Sequence, residues 1–328
     1  MTTKRLLTWI VAVILFGVVV WLVLKDPATV EALRSISVLQ IVALLGLQIV
    51  YLIVESRRLE IVIEDASRTR IPSLHMLSLF SVGRTLNLVV PQAGNVYRGV
   101  RLNQRYGIAA TNYAGALGAF VWMTVILSLV TSGVVLAFTQ SDVTVASLPL
   151  WAVMIVASFI LTVIPIGIYL MASSAIDGRS SDTVVGKIGS VVAAAAEAVK
   201  NPTLVVKFVV TWLVTLAVIG PMYMWTFSIV DQSVTIGAAI AIYGLVQVTS
   251  FVVITPGNIG ILELGFTGLA VLLGVPASAA AAAAGLIRAT GILATVGTAM
   301  ATGWSDLVDA STHRGADPSS TSGDDGSP

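Results

Sequence analysis

The hydrophobic positions of this chain fall in long unbroken runs. Stretches without Asp, Glu, Lys or Arg cover residues 6–24, 35–54, 106–141, 143–176, 208–230, 232–262, 264–287 and 289–305. An α-helix rises about 1.5 Å per residue, so about 20 apolar residues cross about 30 Å of hydrocarbon. Most of the stretches reach that length. Continuous runs also argue against a transmembrane β-barrel, whose strands alternate. The pattern predicts an all-α polytopic membrane protein. The first run follows Lys4 and Arg5, is long for a signal-peptide core and has no small-residue cleavage site behind it. It is expected to stay as the first span.

Two segments break the pattern. Residues 74–105 carry Arg84 in their middle and are interrupted at Pro91-Gln92-Ala93-Gly94, which leaves thirteen uncharged residues in each of 71–83 and 85–97. Neither piece crosses a bilayer comfortably alone. Residues 236–273 are interrupted alike, at Pro256-Gly257-Asn258-Ile259-Gly260. Irregular backbone at membrane depth is tolerated where protein or water surrounds it, so both read as re-entrant helical hairpins. The expectation is six full spans plus two hairpins, eight hydrophobic elements in all.

Charge sets the orientation. The groups Lys4–Arg5, Arg57/Arg58/Arg68/Arg70, Arg98/Arg101/Arg105 and Arg179/Lys187/Lys200/Lys207 hold thirteen of the 18 basic residues. Placing all four groups in the cytoplasm obeys the positive-inside rule, leaves only Lys25 and Arg34 outside, and puts both termini in the cytoplasm. The membrane domain is expected over 1–304, with a disordered cytoplasmic tail of Ser, Asp, Gly, Thr and Pro over 305–328. Between them, Val184, Val185, Ile188, Val191, Val192, Ala195 and Val199 share one helical face. That segment reads either as an amphipathic helix on the interface or as a loop helix packed on the bundle.

Composition narrows the function. Only 11% of residues are charged against about 25% in soluble domains, with 56% hydrophobic and a mean hydropathy of +0.95. Cysteine is absent, which excludes disulfides, thiolate metal sites and a cysteine nucleophile. A net charge of +1, with basic residues lying between spans, gives no case for nucleic acid. His75 and His313 are too far apart in the sequence to suggest a metal site, and no cofactor motif or nucleophile–base constellation occurs.

The two hairpins look like copies. Pro91 and Gly94 precede Arg98, then Gly107 and Gly118; Pro256 and Gly260 precede Glu263, then Gly274 and Gly285, the glycines of each of these last pairs eleven positions apart. The repeat halves would be about 38–138 and 204–303. By the charge argument they have opposite orientation, and inverted repeats with broken helices in matching positions point to a transport site between them. The glycines could instead serve close helix packing alone.

The segments NLVVPQAGNVYRGVRLNQRYGI and TPGNIGILELGFTGLAVLLGVP resemble the two signature segments of the lysylphosphatidylglycerol synthase transmembrane-region family, the flippase-like domain of multiple peptide resistance factor and its stand-alone relatives. Asn87, Pro91, Gly94 and Arg98 match the first pattern. Pro256, Gly257, Gly260, Glu263, Gly274, Val275 and Arg288 match the second. Asn95 stands where many relatives carry an acid, and Asn258 replaces a glycine. The resemblance runs from about Val38 to Gly303. It implies a flippase-like transporter of a phospholipid or lipid-linked head group, without the aminoacyl-transferase domain of the full-length synthases.

Ionisable residues inside a membrane are costly and mark candidate sites. Here they are Arg84, Arg98, Glu263 and Arg288. A helix restarting after Pro91 or Pro256 offers free N–H groups and the positive end of its dipole, with Asn95 and Asn258 as expected N-caps. Two such ends would suit a phosphate, with Arg98 and Arg288 as charge partners. Glu263 would orient an arginine or receive an amino group; alternatively it pairs with Arg98 or Arg288 to lock the fold. Glu55, Arg57, Arg58 and Glu60 read as solvated anchors closing the second span. The expected partners are membrane lipids with anionic or phosphate-bearing heads, with a homo-oligomer left open. The other reading is a membrane-embedded transferase or accessory subunit of cell-envelope lipid or glycan synthesis, in a cell membrane in either case.

Overall fold

Asp26 caps a short helix near the start of the computed structural model, which describes residues 17–18, 20–176, 200–250 and 255–312, the side chains of 164–176, 256 and 304–312 excepted. Helix α1 (Pro27–Arg34) starts with proline at its first turn, where the missing N–H costs nothing. Ser37 and Gln40 form a reciprocal capping box for α2 (Val38–Ser67), which ends on a left-handed Arg68. Next come α3 (Ser73–Val89) and α4 (Ala93–Tyr106), which ends at the left-handed Gly107. Helix α5 (Ala110–Thr139) follows, then a ribbon of β1 (Thr144–Val145) and β2 (Leu148–Pro149), then α6 (Leu150–Ile176). Asn201 caps α7 (Pro202–Ile229) and donates to Asp65 at 2.6 Å, tying its start to the end of α2. Helix α8 (Ile236–Ser250), a 3-10 turn (Pro256–Asn258), α9 (Ile261–Leu272) and α10 (Ala277–Thr312) complete the described chain.

Among the described residues four helices are long and apolar enough to cross a membrane: α2, α5, α7 and the 277–303 part of α10. The protein is thus a helical membrane protein, as the apolar runs predict. Residues 6–16 of the expected first span, the 183–199 segment and residues 313–328 lie outside the described residues. Helix α10 carries on through 305–312, where composition predicts disorder. No Pro or Gly interrupts 304–312, and extending an existing helix needs no new nucleus.

Both interrupted segments form helix–break–helix hairpins, α3–α4 and α8–α9, whose arms pack together. Between hairpins, α5 lies on α8 and α10 lies on α3, while α2 lies on α7. Small residues allow this closeness. A Cβ on Gly244 would fall 2.0 Å from the Ser132 Oγ, and one on Gly94 would fall 1.8 Å from the Gly83 carbonyl oxygen. One apolar core gathers Trp212, Phe227, Tyr243 and Phe266. A second gathers Leu59, Ile63, Leu79, Phe120 and Phe208 around α2.

Candidate functional site

The tips of the two hairpins meet. Gly257 is left-handed (φ 59°), and a Cβ there would stand 3.2 Å from the Leu88 Cα and 3.2 Å from the Arg288 Nη2. Around this contact lies a cavity of about 760 Å³ lined by Arg84, Pro91, Asn95, Arg98, Gly257, Asn258 and Arg288. Seven of the residues singled out from the sequence therefore share one space. Gly94 and Gly260 act through backbone, at the crossing of α3 with α4 and at the start of α9. Glu263 lines a smaller adjoining cavity of about 190 Å³, which Arg84 and Arg288 also border.

The breaks are capped differently from the expectation. Gln92, in a left-handed conformation, occupies the N-cap of α4, and Asn95 sits one turn inside the helix, bonded to Gln92 and Arg98. The Gly94 N–H donates instead to Asn87 Oδ1 at 2.7 Å, a cap reached from the opposite arm. Gly260 is the N-cap of α9, and its N–H donates to Glu263 Oε2 at 2.7 Å. Asn258 holds the turn by donating to the Ser250 carbonyl at 2.7 Å, leaving its buried Oδ1 with no donor among the described residues. Neither asparagine caps a helix: each break needs an extra left-handed residue, which moves the helix start.

Glu263 pairs with Arg288, not Arg98. Arg288 Nε lies 3.3 Å from Glu263 Oε1, close enough for charge attraction but out of line for a hydrogen bond. The Arg288 Nη2 donates to the Gly257 carbonyl, so this arginine braces the second break. Arg98 is buried, bonded among the described residues to Asn95 and the Gly94 carbonyl, with its guanidinium 5.4 Å from the Phe80 ring. Arg84 faces the same ring at 5.5 Å and the Tyr51 ring at 5.7 Å. Among the described residues neither Arg84 nor Arg98 has a carboxylate partner.

The sequence reading missed a buried ion pair. Glu55, Arg58 and Glu60 are buried rather than solvated. Arg58 is fully enclosed, donates to Glu55 and to Thr124 Oγ1 at 2.6 Å, and lies 4.8 to 5.3 Å from the rings of Phe120, Phe208 and Trp212. Glu60 pairs with Arg57, whose side chain is half exposed. The available signal was helical spacing: Gln48, Tyr51, Glu55, Arg58 and Val62 continue the buried face of α2 past its first charge.

The cavity is amphipathic. Its polar side is made by the hairpin tips, and its apolar side by Ala114, Leu117, Gly118, Val121 and Val125 of α5 with Leu161 of α6. Trp122 closes the rim by donating to the Leu161 carbonyl at 2.9 Å. No group of three or more potential metal ligands occurs among the described residues.

Neither a curated protein nor a solved structure matches the chain. The family model described as the lysylphosphatidylglycerol synthase TM region matches residues 9–297, nearly the whole length and both hairpins. With its apolar helices and paired breaks, the chain belongs to the lysylphosphatidylglycerol synthase TM region family.

Proposed function

We propose that this chain binds the phosphate-bearing head group of a membrane lipid between the two hairpin tips and carries it from one leaflet to the other. One observation supports this above the rest. Arg84 and Arg98 line a cavity within the helical bundle with no carboxylate partner among the described residues. A guanidinium held away from bulk water without a counter-charge is unfavourable, and an anionic ligand supplies the missing charge. The apolar wall of α5 argues for a ligand with acyl chains, since a soluble anion has nothing to place there.

In this reading the hairpins are re-entrant and enter from opposite sides. The element order supports an inverted repeat: long helix, short arm, break, short arm, long helix in α2–α5 and again in α7–α10. Six full spans then place both termini in the cytoplasm of a cell membrane. The transfer is transport without chemistry, and the absence of a nucleophile–base motif from the sequence favours that over a transferase.

Reconstitution tests the reading. Purified protein in liposomes carrying head-group-labelled phosphatidylglycerol in one leaflet should exchange it between leaflets, and Arg98→Gln should lower the rate. Unchanged leaflet distribution overturns the proposal. A change in lipid mass instead points to a transferase.

A further inference from the structure

Charge in the large cavity does not balance. Four ionised side chains line it among the described residues: Glu55, Arg84, Arg98 and Arg288. Glu55 pairs with the enclosed Arg58, and Arg288 faces Glu263. Tyr51, the tyrosine lining the same space, is neutral at ordinary pH and offsets nothing. Arg84 and Arg98 are left over, one on each arm of the first hairpin. Both guanidiniums stand against the Phe80 ring, at 5.5 and 5.4 Å, so the two surplus charges act on one part of the cavity. Among the described residues no acceptor meets Arg84, and Arg98 uses its Nε and Nη2 on the Gly94 carbonyl and Asn95 while its Nη1 has no acceptor.

We propose that the site is matched to a dianionic head group, a lipid ending in a phosphate monoester, held by Arg84 and Arg98 together. This rests on the head-group reading above and names its substrate class. A phosphodiester head such as that of phosphatidylglycerol carries one negative charge. It leaves one of the two arginines unmatched inside the bundle, which is unfavourable. A terminal phosphate carries close to two charges above its second ionisation, at about pH 6, and so balances both. Hydrogen bonding gives the same answer. An arginine fork takes two oxygens. A phosphodiester has two unesterified oxygens, enough for one fork, whereas a terminal phosphate has three that two arginines can share. Arg288 stays with Glu263 and calls for no third charge. The apolar wall of α5 favours a lipid over free inorganic phosphate, which has no chains to lay there.

Affinity against pH tests this. Purified protein in detergent micelles is titrated with phosphatidic acid, and with phosphatidylglycerol as the control that keeps a single charge. At about pH 8 phosphatidic acid should bind about tenfold more tightly, the worth of one more charged hydrogen bond. At about pH 5, where phosphatidic acid is also a monoanion, that preference should fall away. The Kd of phosphatidylglycerol over the same range reports any titration of the protein itself. Arg84→Gln should cut the preference at the higher pH, and Arg98→Gln serves if that variant does not fold. Equal affinities at the higher pH overturn the proposal, as does a preference that ignores pH or survives in the folded variant. Displacement of phosphatidic acid by an equal concentration of inorganic phosphate also overturns it, since the site would then take a soluble anion. If neither lipid binds, the head-group reading itself fails.

Discussion

The two hairpins share a plan and differ in how their charges are used. In α8–α9 the break is satisfied from within: Glu263 caps Gly260 and faces Arg288, and Arg288 donates to Gly257. In α3–α4 the backbone is capped by Asn87, and among the described residues Arg98 and Arg84 meet aromatic rings and amides but no acid. The second hairpin is closed electrostatically and the first is open. A repeat can therefore divide its labour, one copy holding the shape and the other presenting charge.

The comparison can be broken most forcefully where both hairpins depend on bare backbone. Gly94→Val should lose more than about 3 kcal/mol, because its side chain would overlap the Gly83 carbonyl. Expression and melting temperature in detergent read this loss, and a wild-type melt would disprove the close crossing. Next comes the closed hairpin. Glu263→Ala should cost about 3–5 kcal/mol by stranding Arg288, and adding Arg288→Met should restore most of it. A single variant that melts like wild type would show that the second hairpin is not held by this pair.

The open hairpin should behave in the opposite way. Arg98→Gln and Arg84→Gln remove charges that no protein acid needs, so stability is kept or rises. Leaflet exchange of phosphatidylglycerol should fall about tenfold or more, the loss expected for a charged hydrogen bond. Equal losses of stability in these variants and in Glu263→Ala would erase the distinction. A smaller effect separates the caps. Asn87→Ala should cost about 1 kcal/mol, since one helix-start N–H loses its acceptor, and thermal melts measure it.

The smallest effect lies outside the spans. Hydrogen bonds from the Thr29 and Ser278 hydroxyls hold the Asp26 carboxyl below the usual carboxylate range. A depressed folded value means that this contribution is present above about pH 4 and is lost as pH falls through the folded value. Asp26→Asn should flatten that part of the melting temperature against pH, leaving both hairpins unaffected.

Much of this was legible in the residues. Pro91 and Pro256 marked both breaks because each is followed within four residues by glycine and then by Arg98 or Glu263, whereas Pro221 stays inside the continuous helix α7. Arg84, Arg98, Arg288 and Asn258 were candidates by charge or polarity alone, and the fold brings them to one cavity. What was not legible depends on long-range partners. Glu263 could have chosen either arginine, since spacing does not say which helix crosses behind it. Asn87 matched the family pattern, but its role as the acceptor of the Gly94 N–H appeared only when the hairpin brought the two together. Glu55 and Arg58 were misread because charge was taken to end a span, whereas here the aromatic rings of α5 and α7 enclose the pair.

The contact of α10 with α3 has a consequence for biosynthesis. The first hairpin is made early, yet α10, which covers it, is made only after α5 to α9. Until then α3, which carries Arg84, lacks this neighbour. A chain cut short before residue 277 would insert but stay unsealed, exposed to membrane proteases. Arrival of α10 is thus the step at which the first hairpin gains its cover.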